Sequence, residues 1–97
     1  MSGPLQAVKD GVDSGIEYAK YPARDYRYIP EGRHGSGNCA VFAATYMVDA
    51  ARAGYSGQIR TCMLKDGQGH AFYVTGDGHV LDVRQRGVGT LADVGCR

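Results

Sequence analysis

Residues 35–54 constrain the fold more than any other stretch of this chain. A glycine-bearing lead-in offers Ser36 and Asn38, both good N-cap types, and an apolar run follows as far as Gly54, a natural left-handed stop. This pattern predicts one helix over residues 39–53. Val41, Ala44, Val48 and Ala51 form an apolar stripe, and Phe42, Ala43, Tyr46, Met47 and Ala50 widen it. Only Asp49 and Arg52 carry charge, both near the end. A helix that is apolar nearly all round is a buried one, so this element is expected at the centre of the domain. Cys39 then falls in its first turn, where unpaired N–H groups and the helix dipole favour a thiolate. It is a candidate nucleophile, weighed against a small packed thiol.

The 97 residues suffice for one domain with its own core, residues 1–97, and leave no room for a second. A hydrophobic fraction of 43% argues for a folded chain, and a net charge of +1 without a basic block gives no nucleic-acid footprint. No apolar run reaches membrane-spanning length, and the first residues show no signal-peptide pattern. Three widely spaced cysteines do not make a disulfide framework. Free thiols in a reducing cytoplasm are therefore expected.

Upstream, Leu5, Val8, Val12 and Ile16 recur at helical spacing, but Gly11 and Gly15 interrupt the pattern and weaken the helix. Residues 18–30, dense in tyrosine, read as an extended or irregular segment laid over the core. Residues 31–38 read as a loop, with Arg33 and His34 solvated. Downstream, residues 58–65 form a first expected strand, with Cys62 as a buried structural thiol. Residues 70–75 and 79–85 form the second and third strands. A helical turn near residues 90–94, or a frayed end, closes the chain.

The loop between the last two strands decides whether a catalytic pair exists. A two-residue loop at Asp77 and Gly78 would pair Tyr73 with Asp82 and set Asp82 away from His70. A three-residue loop, Gly76 to Gly78, pairs Phe72 with Asp82 instead. His70 and Asp82 then share a face as diagonal neighbours, about 7–8 Å apart at the backbone. Gly78 can supply the left-handed residue that such a loop requires, and the three-residue loop is the one expected here.

With the helix packed across the sheet, Cys39 can reach His70 while Asp82 orients the ring. His70 would take the thiol proton and later protonate a leaving group, and Asp82 would fix the tautomer. The Cys39 backbone N–H is a natural oxyanion donor. Gln6, Tyr28, His34 and Asn38 are candidates for a second donor.

These residues resemble those of the transglutaminase-like branch of the papain-like superfamily, in particular the bacterial transglutaminase-like cysteine proteinases. The matching pieces are Tyr28-Ile29-Pro30, the helix start Gly35-Ser36-Gly37-Asn38-Cys39 with the following Ala-Val-Phe-Ala, the His70-Ala71-Phe72-Tyr73-Val74 strand, and Val80-Leu81-Asp82. The resemblance covers roughly residues 26–85. It implies an α+β fold, a minimal papain-like core with a Cys-bearing central helix on a small antiparallel sheet. It also implies Cys39 as nucleophile, His70 as base and Asp82 as orienter. The expected activity is a cysteine hydrolase or acyltransferase that attacks an amide of a protein or peptide substrate without a cofactor. Asn38, Ala40 and Val41 stand where relatives carry acids, so calcium or partner binding through those acids does not carry over.

Three other readings compete. A cell-wall amidase or endopeptidase of the same superfamily usually has a second His at the place of Asp82 and acts outside the cytoplasm. A metal site drawn from Cys39, Cys62, His70, His79 and Cys96 lacks the usual ligand spacings. A non-catalytic binding module, such as a small phage or bacterial protein engaging a host partner, would keep the fold and leave Cys39 inert.

Overall fold

In the computed structural model, which describes residues 3–20 and 25–97, helix α2 (Cys39–Arg52) is the element against which the others pack. Its start is set by Asn38, in extended backbone, whose side-chain oxygen accepts the Ala40 N–H at 3.0 Å. Its end is a Schellman closure. Tyr55 N–H reaches the Ala50 carbonyl at 2.9 Å and Gly54 N–H reaches Ala51 at 3.0 Å, with Gly54 at φ +94°. Between these caps Val41, Phe42, Ala43, Tyr46 and Ala50 are buried, as their all-round apolar pattern requires.

One side of α2 meets helix α1 (Gly3–Gly15), which contributes Leu5 and Val12 to a core with Phe42, Tyr46, Tyr73 and Leu81. Gly11 does not break α1. Tertiary burial outweighs its propensity cost, and a salt bridge adds to the packing. Lys9 is fully buried, bonded to Asp13 at 2.7 Å and to the Tyr46 hydroxyl at 3.2 Å, while Tyr46 donates to the second Asp13 oxygen. The Lys9 ammonium also lies 5.3 Å from the centre of the Tyr46 ring.

The other side of α2 packs on an antiparallel sheet of β3 (Gly57–Met63), β4 (Gly69–Thr75) and β5 (Val80–Leu81), in the order β3-β4-β5. Ala71, Tyr73 and Leu81 join the clusters around α2, and Phe72, Val74 and Val80 build a second small core with Leu64 and Val94. A short helix α3 (Leu91–Val94) supplies Val94. The sheet is thus covered on both faces, and this is why β4 is buried from His70 through Thr75. The result is an α+β fold, as expected.

Two features depart from the expectation. The segment before α2 is not simply a loop, because β1 (Ile16–Tyr18) and β2 (Gly35–Gly37) pair in parallel, Tyr18 opposite Gly37. The expected extended segment 18–30 is described only at 18–20 and 25–30, and its remaining residues lie outside the described residues. The thiol assignment is corrected as well. Cys62 and Cys96 form a disulfide, and only Cys39 is free. Antiparallel bridging of Leu64 with Cys96, and an Arg97 N–H bond to the Met63 carbonyl at 2.9 Å, bring the two cysteines together. Cys62 is therefore not a structural free thiol, and the thiol count no longer argues for a reducing compartment. No helix among the described residues is long and apolar enough to cross a membrane.

Candidate active site

The hairpin between β4 and β5 has the three-residue connection. Tyr73 pairs with Leu81 and Val74 with Val80, so the next positions in register are Thr75 with His79 and Phe72 with Asp82. Thr75 N–H donates to the His79 carbonyl at 2.8 Å, and Gly78, at φ +93°, turns the chain. The strand ends earlier than its sequence suggests. Asp82 leaves the ladder and uses its carboxylate locally, Oδ1 accepting the Arg84 N–H at 3.0 Å, while its carbonyl accepts the Gln85 N–H at 3.0 Å.

This turn fixes a buried carboxylate, 1% exposed, against an imidazole that is 5% exposed. His70 Nε2 and Asp82 Oδ1 lie 2.7 Å apart. Because a carboxylate only accepts, the proton resides on Nε2, and Nδ1 is left to face the thiol. The His70 ring also stacks on Phe72, with centroids 6.1 Å apart, which restricts its rotation.

Cys39 is the first residue of α2 and is partly exposed. Its Sγ accepts the Ala71 N–H at 3.4 Å, so β4 presents to the sulfur both a backbone donor and the adjacent imidazole. Burial alone would raise the thiol pKa. The hydrogen bond with His70, the Ala71 N–H and the His70 charge together outweigh it and hold the thiol below its ordinary value. Burial likewise disfavours the imidazolium, yet hydrogen bonds to Asp82 and Cys39 and their charges raise His70 to about 9. The two shifts run in opposite senses and both favour transfer of the thiol proton to the ring.

The sulfur opens onto a cleft of about 590 Å³, within the range of small-ligand and peptide-side-chain sites. Tyr18, Tyr26, Asn38, Thr61 and Met63 line it with Cys39 and His70, and Tyr18, Tyr26 and Met63 are among the large apolar side chains left exposed. Cys39, His70 and Asp82 are therefore brought together.

Of the four candidates for the second oxyanion donor, Asn38 alone lines the cleft. Gln6 bonds Asp10 and the tail at Arg86 and Val88, and Tyr28 donates to Asp49 at 3.3 Å near the opposite end of α2. His34 is exposed, and Asn38 uses its side-chain oxygen, an acceptor, to cap α2. Tyr18, which the sequence offered only as packing, lines the cleft beside the cysteine, as Tyr26 does, and of the two it is the one whose ring meets Phe42 of α2. Its signal was the short β1 strand, too brief to show a period. Of the metal candidates, Cys62 and Cys96 are joined to each other, and His79 pairs with Asp77 at 2.9 Å in the exposed hairpin loop. Among the described residues no group of three or more His, Cys, Asp and Glu is placed to hold a metal ion.

No protein-family model matches this chain, and no curated protein matches it.

Proposed function

We propose that this chain is a transglutaminase-like cysteine hydrolase or acyltransferase of the papain-like superfamily, acting on an amide through Cys39, His70 and Asp82. The observation that carries the reading is the convergence of a helix-start thiol and a carboxylate-bound imidazole, with the thiol pKa lowered and the imidazole pKa raised. That polarisation is what an amide-attacking cysteine needs, and a packed structural thiol has no use for it.

The steps follow from the atoms present. The Cys39 thiolate adds to the carbonyl carbon of a peptide bond, isopeptide bond or glutamine carboxamide, and the carbonyl π pair moves onto oxygen. His70 gives its Nδ1 proton to the departing nitrogen as the C–N bond breaks, leaving an amine or ammonia and a thioester on Cys39. Water or a second amine then adds to the thioester, His70 takes the proton back, and the thiolate leaves. Asp82 keeps Nε2 protonated throughout and stabilises the imidazolium before acylation and again once water or the amine has given up its proton.

A synthetic peptide library containing glutamine, asparagine and lysine, offered with and without a primary amine, tests this by mass spectrometry. Cleavage, deamidation or amine incorporation that vanishes in Cys39→Ala and in His70→Ala is the expected result. Identical product profiles for wild type and Cys39→Ala would overturn it. A second reading, an amidase or endopeptidase of cell-wall peptides, is favoured by the Cys62–Cys96 disulfide, which suits an oxidising compartment. Muropeptides added to the same library separate the two.

A further inference from the structure

Attack on a carbonyl needs two donors at the oxygen that becomes negative, and the helix-start N–H of Cys39 provides one. The second must come from outside α2, on the cleft side of the sulfur, and must remain protonated at the working pH. Resting on the amide-attack reading above, we propose that the Tyr18 phenolic O–H is this second donor, which makes Tyr18 a catalytic residue of the site.

Three independent features place it there. The parallel pairing of β1 with β2 sets Tyr18 opposite Gly37, two residues before the nucleophile, and Ala19 N–H to the Gly37 carbonyl at 3.0 Å closes the register just beyond it. The ring leans on Phe42 of the first turn of α2, with centroids 6.0 Å apart and planes at 33°. This contact ties the tyrosine to the helix that carries Cys39, rather than to a loop that moves independently. Finally, Tyr18 lines the same cleft as the sulfur and is about half exposed, so it is accessible to a carbonyl group entering the cleft.

The electrostatics suit the task. Burial raises the Tyr18 pKa first, and the nearby Cys39 and Asp82 charges raise it further, while Arg84 opposes them. The phenol therefore keeps its proton through the neutral range and can donate. Its coupling to Cys39 also shows that the hydroxyl feels charge at the sulfur. Charge on the tetrahedral oxygen, two bonds from the sulfur, falls in the same field.

In the acylation step the sulfur–carbon bond forms and the carbonyl pair moves onto oxygen. Tyr18 O–H and Cys39 N–H hold that oxygen by hydrogen bonds without transferring a proton. Collapse restores the carbonyl and expels the leaving group. Alkylation of the same sulfur by iodoacetamide is a direct displacement of iodide at a tetrahedral carbon and creates no oxyanion. The ratio of the two rates therefore isolates the donor.

The test compares wild type with Tyr18→Phe, using p-nitrophenyl acetate for acylation and iodoacetamide for alkylation, with the thioester on Cys39 confirmed by intact mass. The expected result is a fall in acylation rate of about 100-fold, the usual effect of losing one oxyanion donor. Alkylation should stay within about twofold. Equal acylation rates in the two proteins would overturn the Tyr18 assignment alone. A parallel fall in both rates would overturn it too, because Tyr18 would then act on the thiolate and not on the oxyanion. If wild type is alkylated at Cys39 but never acylated, the amide-attack reading itself fails and takes this assignment with it.

Discussion

His70 and Asp82, twelve residues apart, meet at 2.7 Å because the connection between their strands is three residues long and not two. Pleat alternation makes this an all-or-none matter, since a one-residue change of register would carry the carboxylate to the other face of the sheet. Asp82→Asn keeps the shape and removes the charge. His70 should lose most of its elevation, and the pH at which Cys39 becomes reactive toward iodoacetamide should move upward. Acylation should fall by about 10²–10⁴-fold, the range spanned by loss of acid–base help and by a misplaced tautomer. An alkylation profile that overlays wild type would remove Asp82 from the site.

The same pair gives a stability signature with a definite sign. His70, raised from 6.5 to about 9, contributes stability that is complete below about pH 6.5 and is lost as pH rises through about 9. Cys39, lowered from 9.0, contributes stability present above about pH 9 and lost as pH falls through its lowered value. Where the Cys39 window overlaps that of His70, within about pH 6.5 to 9, the two slopes oppose each other, because His70 loses stability with rising pH while Cys39 gains it. The urea unfolding free energy of wild type should therefore fall less steeply with pH over that window than that of a chain lacking the thiol. Cys39→Ala leaves His70 with Asp82 as its partner and should lose stability as pH rises through the window. A rising or flat profile in Cys39→Ala would show that the ring is not charged in the folded protein.

The disulfide closes a sequence separation of 34 residues, for which the chain-entropy model gives about 3–4 kcal/mol. Reduction, or Cys62→Ser with Cys96→Ser, should lower unfolding free energy by that order in urea titrations. Hydrogen exchange should quicken at Arg97, whose N–H bonds the Met63 carbonyl across this junction. Unchanged urea midpoints would mean that the packing of Val94 and Leu64 holds the segment by itself.

Gly11 lies inside α1, is exposed, and a methyl group built on it meets nothing within 4 Å. Gly11→Ala should therefore raise stability by about 0.4–1 kcal/mol, through helix propensity and a less flexible unfolded chain. A thermal melt settles it, since a lowered midpoint would mean that α1 needs the glycine.

Much of the geometry of the candidate site is legible in the sequence, because it lies in local signals. Asn38 and Gly54 bracket α2, and Gly78 announces a turn that needs a left-handed residue. Parity then brings Asp82 to His70. What stayed hidden depends on distant partners or on elements too short to show a period. β2 is Gly-Ser-Gly and carries no alternation, so its pairing with β1 left no trace, and Tyr18 read as packing. The link from Cys62 to Cys96 depends on the tail returning to Leu64, which an odd cysteine count does not specify. β5 stops at Leu81 because the Asp82 carboxylate finds the Arg84 amide, a local bond that the apolar pattern through Val83 masks.

Cys62 lies directly across the sheet from His70 and lines the cleft that holds Cys39. On the proposed reading of Cys39 as nucleophile, the cleft carries one sulfur that works only as a thiol and another that stands in a disulfide. The surroundings of this protein must satisfy both at once. A medium reducing enough to strip every oxidised form from Cys39 also threatens the bond behind the imidazole, and one that safeguards that bond exposes the nucleophile to oxidation. The working range of redox potential is set from both sides within a single cleft.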